Sequence, residues 1–149
     1  MLKQVRIYKW LLEVDIDKTR EFYNKDIEVC HCVYCTNYVK ACKHLNTSVS
    51  DMLNILGINL AIPAHLSEFP TDDDDTLLYL GEYFLVGRVL EGELCTFSNF
   101  NEKNTYEIDN FKVGFSEDLE FVPQGFPNPA LQLSFEAYIP WVLNKGTED

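Results

Sequence analysis

Residues 30–57 read CHCVYCTNYVKACKHLNTSVSDMLNILG, and their spacing decides the fold. Apolar or half-apolar side chains at Cys35, Tyr38, Val39, Cys42, Leu45, Val49, Met52, Leu53 and Leu56 recur at steps of three and four, the period of one buried helical face. This predicts one long or kinked helix near residues 34–56. Three poor helix formers, Asn46-Thr47-Ser48, mark the weak point. Ser48 with Asp51 has capping-box spacing, so a second helix over residues 49–56 is the alternative. Gly57 suits the position just past a helix end, with Ile58 folding back on the last turn.

On the N-terminal side, Tyr8, Trp10, Leu12, Val14 and Ile16 alternate with polar residues, which predicts a single strand over residues 5–16. Asp17 is placed to cap a short helix over residues 18–23. On the C-terminal side, residues 59–75 read as a connector, because Pro63 and Pro70 interrupt it and Asp72, Asp73, Asp74 and Asp75 repel one another. Residues 76–80 and 83–90 read as strands around a Gly81-Glu82 turn, and residues 94–97 as the start of another. Asp109-Asn110 suits a tight turn between strands at residues 106–108 and 111–115. Leu131, Leu133, Phe135, Ala137 and Ile139 alternate with polar residues in a final strand, after which residues 146–149 read as a frayed tail. The expectation is an α+β fold: a mainly antiparallel sheet of about five to seven strands in hairpin order, covered on one face by the helix.

The 149 residues suit one domain spanning residues 1–149, and the 46% hydrophobic and 13% aromatic content can build its core unaided. Net charge is −12, and it is uneven. Residues 1–70 carry eight basic and eight acidic side chains, whereas residues 71–149 carry four basic against sixteen acidic. Such a surface repels phosphate backbones and anionic headgroups, which argues against nucleic acid or membrane as partner. No apolar run has membrane length and no signal-peptide core is visible, so the chain reads as cytoplasmic with reduced thiols.

Cys30, Cys32, Cys35 and Cys42 are soft ligands in number sufficient for tetrahedral zinc, with His31 or His44 as substitutes. The spacing lacks the second knuckle of common zinc sites, and Cys35 and Cys42 also fit the helix's buried face. Cys32 to Cys35 is a C-x-x-C pair at a helix start, where a thiol can be activated for disulfide exchange, but no parallel βαβ pattern surrounds it. The four consecutive aspartates lack the glycine spacing of a calcium loop and read as solvated. No nucleophile elbow, metalloprotease helix, deaminase motif or phosphate loop occurs, so the chain reads as a non-enzyme.

The leading expectation is therefore a protein–protein interaction module that binds a basic partner, in the manner of an inhibitor or immunity protein. Its contacts would be Asp72–Asp75, Glu91, Glu93, Glu117, Asp118 and Glu120, with Phe126 as an exposed aromatic anchor. The alternatives are a small domain stabilised by structural zinc, and a ligand-binding or enzymatic domain using the aromatic residues of the strand half.

Overall fold

The computed structural model describes residues 2–25, 27–44, 48–96 and 98–143. In chain order the elements are β1 (Lys3–Ile7), β2 (Trp10–Val14), α1 (Ile16–Tyr23), α2 (Val33–His44), α3 (Ser48–Ile55), β3 (His65–Pro70), β4 (Thr76–Glu91), β5 (Tyr106–Ile108), β6 (Phe111–Ser116) and β7 (Ala130–Pro140). The fold is α+β. Seven strands form one sheet in the order β1-β2-β4-β7-β6-β5, with β3 also on β4, and every pairing is antiparallel.

β4 is the spine. Along one edge it pairs with β7 from Thr76 to Val86. Along the other, its first half pairs with β3 and its end pairs with β2. Between those partners, on the edge away from β7, the backbone of residues 84–86 faces no described strand, and α1 fills the break with side chains. The Phe84 N–H donates to the Tyr23 hydroxyl at 3.1 Å, which donates in turn to the Phe84 carbonyl at 2.8 Å. The Val86 N–H donates to Thr19 Oγ1 at 2.9 Å, and the Val86 carbonyl accepts from the Asp15 N–H at 2.8 Å. Buried backbone groups must find partners, and here a helix supplies them.

Among the described residues the helical layer consists of three short helices, not one long or kinked helix near residues 34–56. The expected pattern is divided between α2, which ends at His44, and α3, which begins at Ser48. The predicted kink at Asn46-Thr47 lies outside the described residues, as do Leu45 of the expected buried face and the predicted tail. Tyr38, Ala41 and Cys42 of α2 and Val49, Met52 and Leu53 of α3 are buried. Tyr38 lies against Tyr79 of β4 and Phe135 of β7, with ring centroids 5.4 and 5.7 Å away. A chain of hydroxyls runs beneath: Tyr38 and Tyr83 share a bond of 2.8 Å, and Tyr83 donates to the Leu60 carbonyl at 2.6 Å.

Other expectations need correction. The single strand over residues 5–16 is a hairpin, turned at Tyr8-Lys9 with Tyr8 in a left-handed conformation (φ 53°). Tyr8 is exposed and stacks on Tyr106 instead of joining a strand face. Asp15, not Asp17, caps α1, accepting from the Lys18 N–H at 3.0 Å. The connector over residues 59–75 contains β3. Gly81-Glu82 makes no turn, since β4 runs straight through it. A Cβ at Gly81 would stand 2.7 Å from Phe135 Cζ and 2.7 Å from the His65 carbonyl, so glycine serves close packing there. Residues 94–96 form no named strand, although the Cys95 N–H donates to the Phe115 carbonyl at 2.8 Å; residue 97 lies outside the described residues. The Asp109-Asn110 hairpin forms, with Ile108 opposite Phe111 and Asp109 at φ 57°.

Candidate functional site

The chain between α1 and α2 brings three thiols together. Cys30 and Cys32 are exposed ahead of α2, and Cys35 is half-buried in its first turn. Their sulfur atoms all lie within 4.8 Å of one another. Two backbone N–H groups point at sulfur: that of Cys32 lies 3.5 Å from Cys30 Sγ, and that of Cys35 lies 3.4 Å from Cys32 Sγ. Such bonds favour thiolate, and they are what a C-x-C-x2-C run makes when it enters a helix directly.

Cys30 and Cys35 are electrostatically unlike. The Cys32 N–H, with bonds from the Cys32 and Cys35 thiols, holds Cys30 below the ordinary thiol range. Burial, followed by hydrogen bonds to Cys30 and Cys32, pushes Cys35 well above it. The trio opens on a recess of about 250 Å³ shared with Glu28, His65 and Glu68, between the start of α2 and β3.

Cys42 stands apart. It lies in the core beside Tyr38, outside the group of sulfurs within 4.8 Å, and burial pushes its thiol up to about 12. Cys95, the fifth thiol, is also buried and is pushed up to about 11 by burial. The trio does not include His31. His44's side chain lies outside the described residues. His65 lines the recess, but both of its ring nitrogens are engaged: Nδ1 lies 2.9 Å from Glu82 Oε1 and Nε2 lies 3.1 Å from Ser67 Oγ. Its ring also stacks on Phe121 at 4.2 Å.

The acids of the strand half fall into separate places. Asp72–Asp75 form the β3–β4 turn, where Asp73 accepts from the Asp75 N–H at 2.9 Å and from the Thr76 hydroxyl at 3.1 Å. Glu91, paired with Arg6 at 3.3 Å, closes the other end of β4, which at ~3.3 Å per residue is a contour of roughly 50 Å away. Glu93 follows Glu91, and its carbonyl accepts from Trp10 Nε1 at 2.8 Å. Glu117, Asp118 and Glu120 lie beyond β6. Phe126 is not an exposed anchor: at 9% exposure it packs on Phe22, with centroids 4.6 Å apart. Of the aromatics, Tyr79, Tyr83, Phe111, Phe115 and Phe135 are core, whereas Phe100 and Phe121 line a cavity on the sheet's other face.

Among the described residues, no helix is long and apolar enough to cross a membrane. No protein-family model, curated protein or solved structure matches the chain.

Proposed function

We propose that Cys30, Cys32 and Cys35 bind a thiophilic divalent ion, with zinc as the physiological candidate, and that this ion fastens the start of α2 to the chain before it. The observation that carries the reading is the approach of three sulfurs to within 4.8 Å on a backbone that already directs N–H groups at two of them. Zinc takes thiolates at about 2.3 Å in a tetrahedron, and three sulfurs so placed need only small rotations to reach it. The fourth position falls to water or to Glu68, whose charge already acts on Cys30 across the recess. Three thiolates outweigh the ion's charge, so the bonded N–H groups matter: they offset part of the excess that solvent would otherwise screen. The role assigned is structural, since the three thiols sit where the chain enters α2 and an ion there ties the two together.

The experiment is metal analysis of protein purified without chelator, for wild type and four single variants. Near-stoichiometric zinc is expected in wild type and in Cys42→Ser, with loss of at least tenfold in affinity for Cys30→Ser, Cys32→Ser and Cys35→Ser. Metal-free wild type, or equal loss in Cys42→Ser, would overturn the reading. A disulfide within the trio would point to thiol exchange instead.

A further inference from the structure

Ser67, His65 and Glu82 form a hydrogen-bonded chain on the sheet face away from α2. Residues opposite one another across an antiparallel pair share a face, and neighbours along a strand alternate. Glu68 lies opposite Tyr79, which packs on Tyr38 of α2, so His65 and Ser67 emerge on the other side. There His65 stands directly opposite Glu82, and Ser67 opposite Leu80. The register of β3 on β4 thus brings the three side chains together.

The order of the atoms matters. His65 Nδ1 lies 2.9 Å from Oε1 of buried Glu82, and His65 Nε2 lies 3.1 Å from Ser67 Oγ. A carboxylate can only accept, so it holds the imidazole proton on Nδ1 and leaves the Nε2 lone pair to the serine O–H. Burial pushes the Glu82 carboxyl up, and the His65 bond opposes that. Phe121 stacks on the imidazole at 4.2 Å with the planes 5° apart, which fixes the tilt of the ring. Hydroxyl to Nε2 and Nδ1 to buried carboxylate is the arrangement of a serine nucleophile, its base and the group that orients the base. Ser67 and His65 are only half-buried, so a reactant can reach them.

A cavity of about 280 Å³ adjoins the chain of bonds. Its lining includes Glu82 itself, Leu80 opposite Ser67, and Phe121 on the His65 ring. Leu80, Phe100 and Phe121 offer apolar surface to a short acyl chain. Asp118, Glu120 and Glu136 also line the cavity and would repel an acyl group that carries negative charge.

We infer that Ser67 is a nucleophile, activated by His65 and oriented through Glu82, that hydrolyses small neutral carboxylic esters whose acyl chain occupies this cavity. Ser67 Oγ bonds to the ester carbonyl carbon as its proton passes to His65 Nε2. The carbon–oxygen bond to the alcohol then breaks, and the alcohol leaves with that proton. Water adds to the acyl-serine by the same route, releasing the carboxylic acid and restoring the serine O–H. Glu82 is a positioning residue, acting only through His65. The site shares no residue with the thiol trio.

Labelling with an alkyl fluorophosphonate, mapped by mass spectrometry, tests this together with hydrolysis of nitrophenyl butyrate and nitrophenyl hemisuccinate. The probe is expected on Ser67. Ser67→Ala and His65→Gln should each lower butyrate turnover by about a hundredfold or more. Glu82→Gln should lower kcat by tenfold or more with KM unchanged, a split that a purely structural role would not produce. The neutral butyrate should exceed the anionic hemisuccinate at least tenfold in kcat/KM. Should His65→Gln fold poorly, the mapped position of the probe and the folded Ser67→Ala variant decide. No label on Ser67, or turnover undiminished in Ser67→Ala, would overturn the inference. So would turnover lost in Cys30→Ser but kept in Ser67→Ala, which would assign the hydrolysis to a thiol-bound metal. Equal turnover of the two esters would overturn the placing of the acyl chain.

Discussion

At the scale of single residues, Tyr23 and Thr19 do work that their sequence setting conceals. Each sits in a short helix, yet each completes a strand by bonding the backbone of β4. Removing either hydroxyl leaves a buried N–H unpaired, which costs about 1–3 kcal/mol. Tyr23→Phe and Thr19→Val should each lower unfolding free energy by that amount in urea melts, and losses below about 0.5 kcal/mol in both would contradict the assigned role. Neither residue could be recognised beforehand, because a tyrosine or threonine on a helix is ordinarily read by its apolar face or its cap. The thiols were more legible. Cys30, Cys32, Cys35 and Cys42 stood out by spacing, and coordinates were needed to separate Cys35, which joins the trio, from Cys42, since both fit the buried face of the helix.

At the scale of elements, legibility followed the strength of the local pattern. All five inward residues expected for β7 are buried, because strict alternation has one solution beside a core. The Asp109-Asn110 hairpin was readable from residues that tolerate left-handed backbone. The β1–β2 hairpin was hidden because Tyr8 adopts that conformation without being glycine or asparagine. β4 was read as two strands because glycine usually signals a turn, whereas Gly81 makes room for the Phe135 ring. Gly81→Ala should therefore cost about 1–3 kcal/mol by overpacking, without the change of register that a broken turn would cause. A neutral effect on stability would show that the ring moves aside freely.

At the scale of the whole molecule, a long central strand separates two regions of different chemistry. One side holds α2 and α3 and, at the entry to α2, the sulfur cluster; the other holds irregular chain over an acidic, aromatic-walled cavity. His65 touches both, lining the thiol recess while bonding Glu82 of the cavity floor. Of the acids behind the charge asymmetry visible in the sequence, Asp72–Asp75 precede the start of β4 and Glu91 closes its end. Part of the excess is local: Glu82, Asp118, Glu120 and Glu136 line the cavity.

The most direct test of the metal-binding account is X-ray absorption at the zinc edge on protein purified without chelator. The account predicts a shell of three sulfurs at about 2.3 Å with one lighter oxygen or nitrogen neighbour. A shell of four sulfurs, a shell of oxygen and nitrogen alone, or no bound zinc would contradict it.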